Sequence, residues 1–253
     1  MSLLALSVLL LSAHGDTEVR DAKLGVTFVW AQEDQTVTSQ GQRLACGAPY
    51  REEVDAVLPR IRALFSTYGR EVLSKINLKG ARFCRDLVWR FDKPRERIVD
   101  GATDIRTEQA VGGLAVYSES RIYIDVASAL RGRAVDSMMH HEIFHFVDRV
   151  LDPRRLDAAW RATHPRGARY AGSGFDRIGA SPLAHGEYPG FVSAYATASP
   201  AEDRAELFSW WRSRTGQLAA KLKSDAVLKK KSELLAKTLK AKLPQLAGRL
   251  PRL

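Results

Sequence analysis

The sequence predicts an α+β protein, with most of its strands in the first half of the chain and most of its helices in the second. Short apolar stretches that alternate with polar residues occur up to residue 125, and they are typical of strands. Apolar residues at helical spacing dominate from residue 134 onward. A chain of 253 residues, with 45% hydrophobic and 27% charged residues, has the size and composition of a globular protein with a real core.

The individual elements follow from the hydrophobic period along the chain. Strands are predicted at residues 23–30, 82–91, 113–117 and 122–125. Helices are predicted at residues 51–79, 134–151 and 153–162, and from Pro200 onward. Pro59 is expected to kink the first helix or to mark its true start. The polar stretch at residues 32–49 is predicted to be a loop.

The most informative stretch is HHEIFH, which covers His140 to His145 inside the predicted helix 134–151. Residues four apart share a helix face, so His141 and His145 could both bind one zinc ion. Glu142 lies beside that face and could take a proton from water. The alternative is a helix with two incidental histidines that bond to carboxylates. Surrounding apolar residues turn the histidines toward a packed interior, which favours the metal site.

Two histidines leave a catalytic zinc ion one protein ligand short of the usual three. Glu202 and Glu206 follow Ser199, which is predicted to cap a helix, and their spacing of four places them on one face. One of them could bind the metal while the other orients a ligand histidine. Alternatively, both simply favour the helix N-terminus through its dipole. Asp148 is a rival ligand or, as we favour, a surface residue, because a third ligand so close on one helix would strain the geometry.

HEIFH, a long intervening loop and then Y-x6-E-x3-E together resemble the gluzincin metallopeptidases, in particular the anthrax lethal-factor type and the bacterial Pro-Pro endopeptidases. The resemblance rests on these two motifs and covers residues 101–214. It implies a zincin-like fold, with a small, twisted, mostly antiparallel sheet, an active-site helix and a helical C-terminal subdomain. It further implies that Glu202 is the third zinc ligand, that Tyr195 stabilises the oxyanion and that Glu206 supports the site.

The resemblance therefore predicts a zinc metalloendopeptidase that acts on a peptide or protein, with Glu142 as general base. Residues 111–125 are similar to the paired strands that precede the active-site helix in zincins, where an edge strand can hold an extended substrate. The competing prediction is a binding protein, either an inactive zincin-like protein or a basic-tailed module that acts at an anionic surface.

Residues 164–190 form a long stretch without periodicity, which we expect to be a mobile wall of the substrate cleft. Its glycines would permit that motion, and they are Gly172, Gly174, Gly179 and Gly186. His164 and His185 are expected to be ordinary loop residues.

The first fifteen residues, MSLLALSVLLLSAHG, have the length and order of a secretory signal peptide. This predicts a secreted or cell-envelope protein, in the periplasm or outside the cell. The alternative is a buried strand or helix in a cytoplasmic protein. If the chain is exported, Cys46 and Cys84 are expected to form a disulfide, and otherwise they are two separate buried thiols.

The positive charge is concentrated at the C-terminus. From Gln217 onward the chain has ten Lys or Arg and two Asp or Glu, so this segment carries +8 of the net +10. Its leucines predict an amphipathic helix that is interrupted at Pro244. Either the helix packs on the domain with its lysines in solvent, or it docks to an anionic membrane or cell-wall surface. Nucleic acid is not expected, because no aromatic or arginine-rich reader motif is present.

These observations predict four segments. Residues 1–15 are the signal peptide, and residues 16–100 form an N-terminal part with a strand, a backing helix and a second strand. Residues 101–215 form the catalytic part, and residues 216–253 form the basic helical tail.

Overall fold

A computed structural model describes residues 8–11, 15–39, 42–99, 102–132, 135–164, 170 and 189–252. The chain divides into two compact units, Met1–Met138 and Met139–Leu253. The predicted α+β class is confirmed, because a mixed sheet and several helices make up the described residues. Within the described ranges, no helix is long and apolar enough to cross a membrane.

The first unit is built on a sheet that has nine strands in the described residues, so it is larger than the small sheet predicted. The strands are β1 (Val8–Leu11), β2 (Asp16–Asp21), β3 (Val26–Ala31), β4 (Gln35–Ser39), β5 (Gln42–Gly47), β6 (Gly80–Val99), β7 (Ala102–Ala110), β8 (Gly113–Val116) and β9 (Arg121–Asp125). The long strand β6 is the centre of the sheet. Its beginning runs parallel to β3 and β9, and its remainder runs antiparallel to β5 and β7. The other pairings are antiparallel.

A disulfide marks the point where β6 leaves its parallel neighbours. Cys46 of β5 is bonded to Cys84 of β6, so the pairing expected for an exported chain is present. Asp86, two residues after Cys84, has a φ of 54°, which lies in the left-handed region. A side chain at Gly47 would lie 2.4 Å from the carbonyl oxygen of Arg85, so the close approach of the strands requires glycine here.

The apolar strands are predicted well, and the polar strands are missed. The strands β3, β8 and β9 lie at predicted positions, and β6 extends the predicted strand 82–91 at both ends. The loop predicted at residues 32–49 is wrong, because β4 and β5 lie there. Among their described side chains, Leu44 and Cys46 alone are buried and the others are partly or fully exposed, so the alternation of apolar residues is weak. The polar strands β2 and β7 also went unpredicted.

Three helices belong to the described residues of the first unit: α1 (Arg51–Ser66), α2 (Arg70–Lys75) and α3 (Val126–Arg131). The helix predicted at residues 51–79 is therefore two helices. Gly69, between them, has a φ of 78°, which a continuous helix does not allow. Pro59 lies inside α1 and does not mark its start. The core of the unit includes Phe65 of α1, which packs edge-on to Phe28 of β3.

Further helices follow along the chain: α4 (Val135–Val150), α5 (Pro153–Arg161), α6 (Pro200–Ser213), α7 (Thr215–Ser224), α8 (Ala226–Lys242) and α9 (Pro244–Ala247). The predicted helices at 134–151 and 153–162 are confirmed as α4 and α5. The predicted start of α6 is also confirmed, since Ser199 caps it by accepting a hydrogen bond from the amide of Glu202.

The C-terminal tail is a set of packed helices, broken at Asp225 as well as before Pro244. Its apolar side is covered within the second unit, where the fully buried leucines of the tail are Leu218, Leu228, Leu235, Leu239, Leu243 and Leu246. This agrees with the prediction of a helix packed on the domain.

Two predictions concern residues that are described in part or not at all. His185 and the four glycines of the predicted cleft wall lie outside the described residues. Residues 8–11, within the predicted signal peptide, form β1 and pair with β2. The signal peptide itself stays a prediction.

Candidate metal centre

The structure brings His141, His145 and Glu202 together as one candidate metal-binding group. His141 and His145 stand one turn apart on α4, and Glu202 is in the first turn of α6. Nε2 of His141 lies 2.9 Å from Oε2 of Glu202 and 3.1 Å from Nε2 of His145. The third side of the triangle, from Nε2 of His145 to Oε2 of Glu202, is 3.5 Å. The predicted ligands therefore point three donor atoms at one position.

The sides of this triangle can be compared with those of a tetrahedral metal site. Zinc bonds to histidine nitrogen and carboxylate oxygen are about 2.0–2.2 Å, so neighbouring ligand atoms of a tetrahedral site are about 3.3–3.6 Å apart. The observed sides are close to that range and need only a small expansion. A single proton on Nε2 of His141 cannot serve both its neighbours, Glu202 and His145, whereas a cation at the centre of the triangle would satisfy all three. The donor set of two imidazoles and one carboxylate is thus compatible with a divalent transition metal, zinc included.

Glu206 lies beside the second ring nitrogen of His141, where the resemblance implies a supporting carboxylate. Its Oε1 is 2.9 Å from Nδ1 of His141, and its Oε2 accepts a hydrogen bond of 2.6 Å from the hydroxyl of Ser193. A proton held on Nδ1 toward Glu206 leaves Nε2 with a free lone pair that points at the metal position. Ser193 was not singled out in the sequence, since a single serine in a loop gives no signal of this role.

The electrostatics of the group favour a bound cation. Burial alone would lower the pKa of His141, but the hydrogen bonds that its ring donates to Glu202 and Glu206 raise that pKa well above its usual range. Burial alone would raise the pKa of Glu202, but the charge of His145 and the hydrogen bond from His141 hold that pKa well below its usual range. The carboxylate is therefore an anion over the whole physiological range, and the site attracts positive charge.

Glu142 and Tyr195 border the same site. Glu142 is buried, and its negative charge acts on His141, His145 and Tyr195. Tyr195 lies in a short 3-10 turn at Tyr195–Thr197, and its ring centroid is 5.6 Å from that of His141. Burial and the nearby carboxylates raise the pKa of Tyr195 well above its usual range, so the hydroxyl keeps its proton.

The helices that carry the ligands are packed against each other by apolar and ionic contacts. Phe144 of α4 contacts Phe208 of α6, with ring centroids 4.8 Å apart. The favoured surface role of Asp148 is wrong. Asp148 is buried, and both its carboxylate oxygens accept hydrogen bonds of 2.7 Å from Arg204. Asp148 is thus neither a surface residue nor a metal ligand, because its charge is needed to compensate a buried guanidinium.

Asp203, between Glu202 and Arg204, is the centre of a second buried cluster. Its Oδ2 accepts hydrogen bonds from the indole of Trp160 at 2.8 Å, the hydroxyl of Tyr170 at 2.7 Å and the ammonium of Lys231. His164, expected to be an ordinary loop residue, bonds to the Tyr170 hydroxyl at 2.9 Å. The cluster connects α6 to α5 and α8, and no sequence pattern indicates it because its members are far apart in the chain.

Comparison of the chain with known proteins does not assign it to a family. No family model, curated protein or solved structure matches the chain. The functional assignment therefore depends on the residues of the site themselves. The structure brings together all six predicted site residues, and they are His141, Glu142, His145, Tyr195, Glu202 and Glu206.

Proposed function

We propose that the protein is a zinc metallopeptidase with a zincin-like active site, as its two motifs suggest. The observation that carries the proposal is the triangle of donor atoms on His141, His145 and Glu202, with sides of 2.9, 3.1 and 3.5 Å. Zinc would be held by these three residues. When bound, zinc supplies a Lewis acid for the substrate carbonyl and lowers the pKa of a water molecule.

The remaining chemistry belongs to residues of the chain. Glu142 is the general base, which takes a proton from the water that attacks the peptide carbonyl carbon. The same carboxyl group then gives the proton to the nitrogen of the leaving amine as the C–N bond breaks. Tyr195 is protonated, so its hydroxyl donates a hydrogen bond to the carbonyl oxygen as negative charge develops there. Glu206 and Ser193 hold the His141 ring in orientation.

The proposal is tested first by the metal content of the purified protein. We expect about one zinc per chain, and we expect His141→Ala and Glu202→Ala to lose it or to bind it far more weakly. His140→Ala is the matched control, because His140 is a buried histidine of the same helix outside the donor triangle. A native protein without zinc, even after reconstitution, would overturn the proposal. Zinc retained by Glu202→Ala would place the third ligand elsewhere, with Glu206 the next candidate.

Hydrolysis is tested separately with a peptide library. Glu142→Gln keeps the size of the side chain and removes the base, so we expect this variant to bind zinc normally and to lose cleavage by a factor of at least about 100. Tyr195→Phe should also bind zinc and should lower kcat more than it raises KM. Stoichiometric zinc in a native protein that cleaves no peptide would instead identify an inactive zincin-like binding protein.

A further inference from the structure

The helical tail of the second unit contains an open groove that the proposed peptidase function does not use. One half of the groove has a volume of about 640 Å³ and lies along α7 and α8. The other half has a volume of about 620 Å³ and continues along α8 and α9 to the C-terminal residues. Trp211 and Ala236 line both halves. We call this continuous depression the basic groove.

The lining of the basic groove is mostly apolar, with Ser224 and Ser232 among its few polar residues. Trp211 lies on the floor, and its indole nitrogen donates a hydrogen bond of 2.9 Å to the carbonyl of Pro251. The one polar atom of the ring is therefore satisfied, and the ring offers carbon to a ligand. Ala219 and Leu222 line one half, and Leu250 lines the other. Such a floor accommodates an apolar chain and gives little to a ligand that needs hydrogen bonds.

The rim of the basic groove is cationic. Lys223, Lys229, Lys240 and Arg252 line it and are exposed, and Glu233 is the one carboxylate among the lining residues. In the part of the chain that the structure describes, these four cations form no ion pair with a carboxylate. Their charge is available to a ligand from outside.

The other acidic residue of the tail, Asp225, does not neutralise the rim, because it is engaged elsewhere. Asp225 caps α8 through the amide of Leu228 at 2.8 Å and also accepts a hydrogen bond of 2.6 Å from the amide of Gly190. The fully buried Lys231, in contrast, is compensated by Asp203 and contributes nothing to the exposed charge. Part of the positive charge of the tail is thus exposed on the rim, next to the mostly apolar lining of the basic groove.

We propose that the basic groove binds an anionic phospholipid and docks the protein on a membrane surface. An acyl chain would lie on the floor over Trp211, and the phosphate headgroups would contact the rim. Binding at a lipid surface grows with both buried apolar area and attraction to anionic headgroups, and the groove offers both in one place.

The composition of the rim favours lipid over an acidic peptide. Three of its four cations are lysines, whose flexible stems carry a point charge that adapts to a fluid layer of headgroups. Fixed carboxylates of a peptide partner are better recognised by the bidentate fork of arginine, which Arg252 alone provides on this rim.

The test is cosedimentation of the full chain with vesicles of phosphatidylcholine, alone or with about one third phosphatidylglycerol. We expect binding to the anionic vesicles only. The triple variant Lys223→Gln, Lys229→Gln, Lys240→Gln should bind about 100-fold more weakly, because each lysine near such a surface contributes about fivefold. No binding of the native protein to anionic vesicles would overturn the proposal.

A matched variant separates the groove from the general charge of the tail. Lys230, Lys237 and Lys242 are exposed on the same helix α8 and do not line the groove. Their replacement by glutamine removes the same charge and should weaken binding by less than about tenfold. Equal losses in the two triple variants would mean nonspecific attraction and would overturn the groove as the site.

Insertion of an acyl chain is tested with phospholipids brominated on that chain, which quench nearby tryptophan fluorescence. We expect quenching of the native protein that is largely lost in Trp211→Phe and retained in Trp210→Phe, the adjacent control. Quenching unaffected by Trp211→Phe would overturn the acyl-chain position. Binding to an acidic amphipathic peptide, with no binding to vesicles, would assign the groove to a protein partner instead.

Discussion

The buried ion pair between Asp148 and Arg204 joins the two helices that carry the candidate metal ligands. Only 1% of the Arg204 side chain and 8% of the Asp148 side chain are exposed, and the pair makes two parallel hydrogen bonds of 2.7 Å. Arg204→Met would leave the Asp148 carboxylate buried without its partner. Removing one member of a buried pair costs about 3–5 kcal/mol, so we expect a loss of that size in the free energy of unfolding.

Arg204 also bonds to Asp157, which provides the control. The Asp157 side chain is 40% exposed, so water screens this second contact. We expect Asp157→Asn to cost less than about 1 kcal/mol. The contrast between the two partners of one guanidinium therefore tests whether burial determines the energy.

The assay is urea unfolding followed by circular dichroism. At a slope of about 2–3 kcal/mol per molar, a loss of about 3–5 kcal/mol lowers the midpoint by about 1–2.5 M. The double variant Arg204→Met, Asp148→Leu removes both charges, and we expect it to be more stable than either single variant. The reasoning would be refuted if the single variants stayed within about 1 kcal/mol of the native protein, or if the double variant lost the sum of both single effects.

Three further results are expected. Ser193→Ala should weaken zinc binding about tenfold in a chelator competition, because Glu206 loses the hydroxyl that orients it, and an unchanged affinity would contradict this. Burial alone would raise the pKa of Asp16, but the hydrogen bond and charge of Arg82 lower it. The pair therefore stabilises the fold at pH values above the ordinary Asp pKa of about 3.9. This contribution is lost as the pH falls through the lowered pKa of Asp16. Asp16→Asn should therefore show a smaller loss of unfolding free energy between about pH 6 and pH 3 than the native protein, and an equal loss would exclude this carboxylate as the cause. Gly47→Ala should lower the thermal midpoint by several degrees, since the new Cβ would lie 2.4 Å from the carbonyl oxygen of Arg85. A midpoint equal to that of the native protein would show that the strands can move apart here without loss of stability.

The ligand-bearing residues were predictable because each motif is local. His141 and His145 are four residues apart, so they share a face on any helix. The apolar residues around them recur at helical spacing and therefore predict the helix itself. The start of α6 was equally local, since Ser199 and the acidic residues after it are a standard helix N-terminus. That Glu202 meets the two histidines depends on tertiary packing. The resemblance to gluzincins supplied that assignment.

What the sequence did not reveal depends on partners that are distant in the chain. Asp148 and Arg204 are 56 positions apart, and a charged residue on a helix is usually exposed, so the pattern pointed to the surface. The same holds for Lys231, one of many lysines in the tail and the one that is fully buried against Asp203. The missed strands share a different cause, because β4 and β7 are held by the backbone ladder to their neighbours and show no strong apolar pattern.

The strand β1 lies within the segment that is predicted to be a signal peptide. Residues 8–11 pair with Thr17–Arg20 of β2, yet they also belong to the segment that a signal peptidase would remove. If residues 1–15 are a leader, its removal also removes β1 and leaves β2 at this border of the sheet. Cleavage would uncover a row of unpaired amides and carbonyls along β2, which is the kind of border that accepts a strand from another chain.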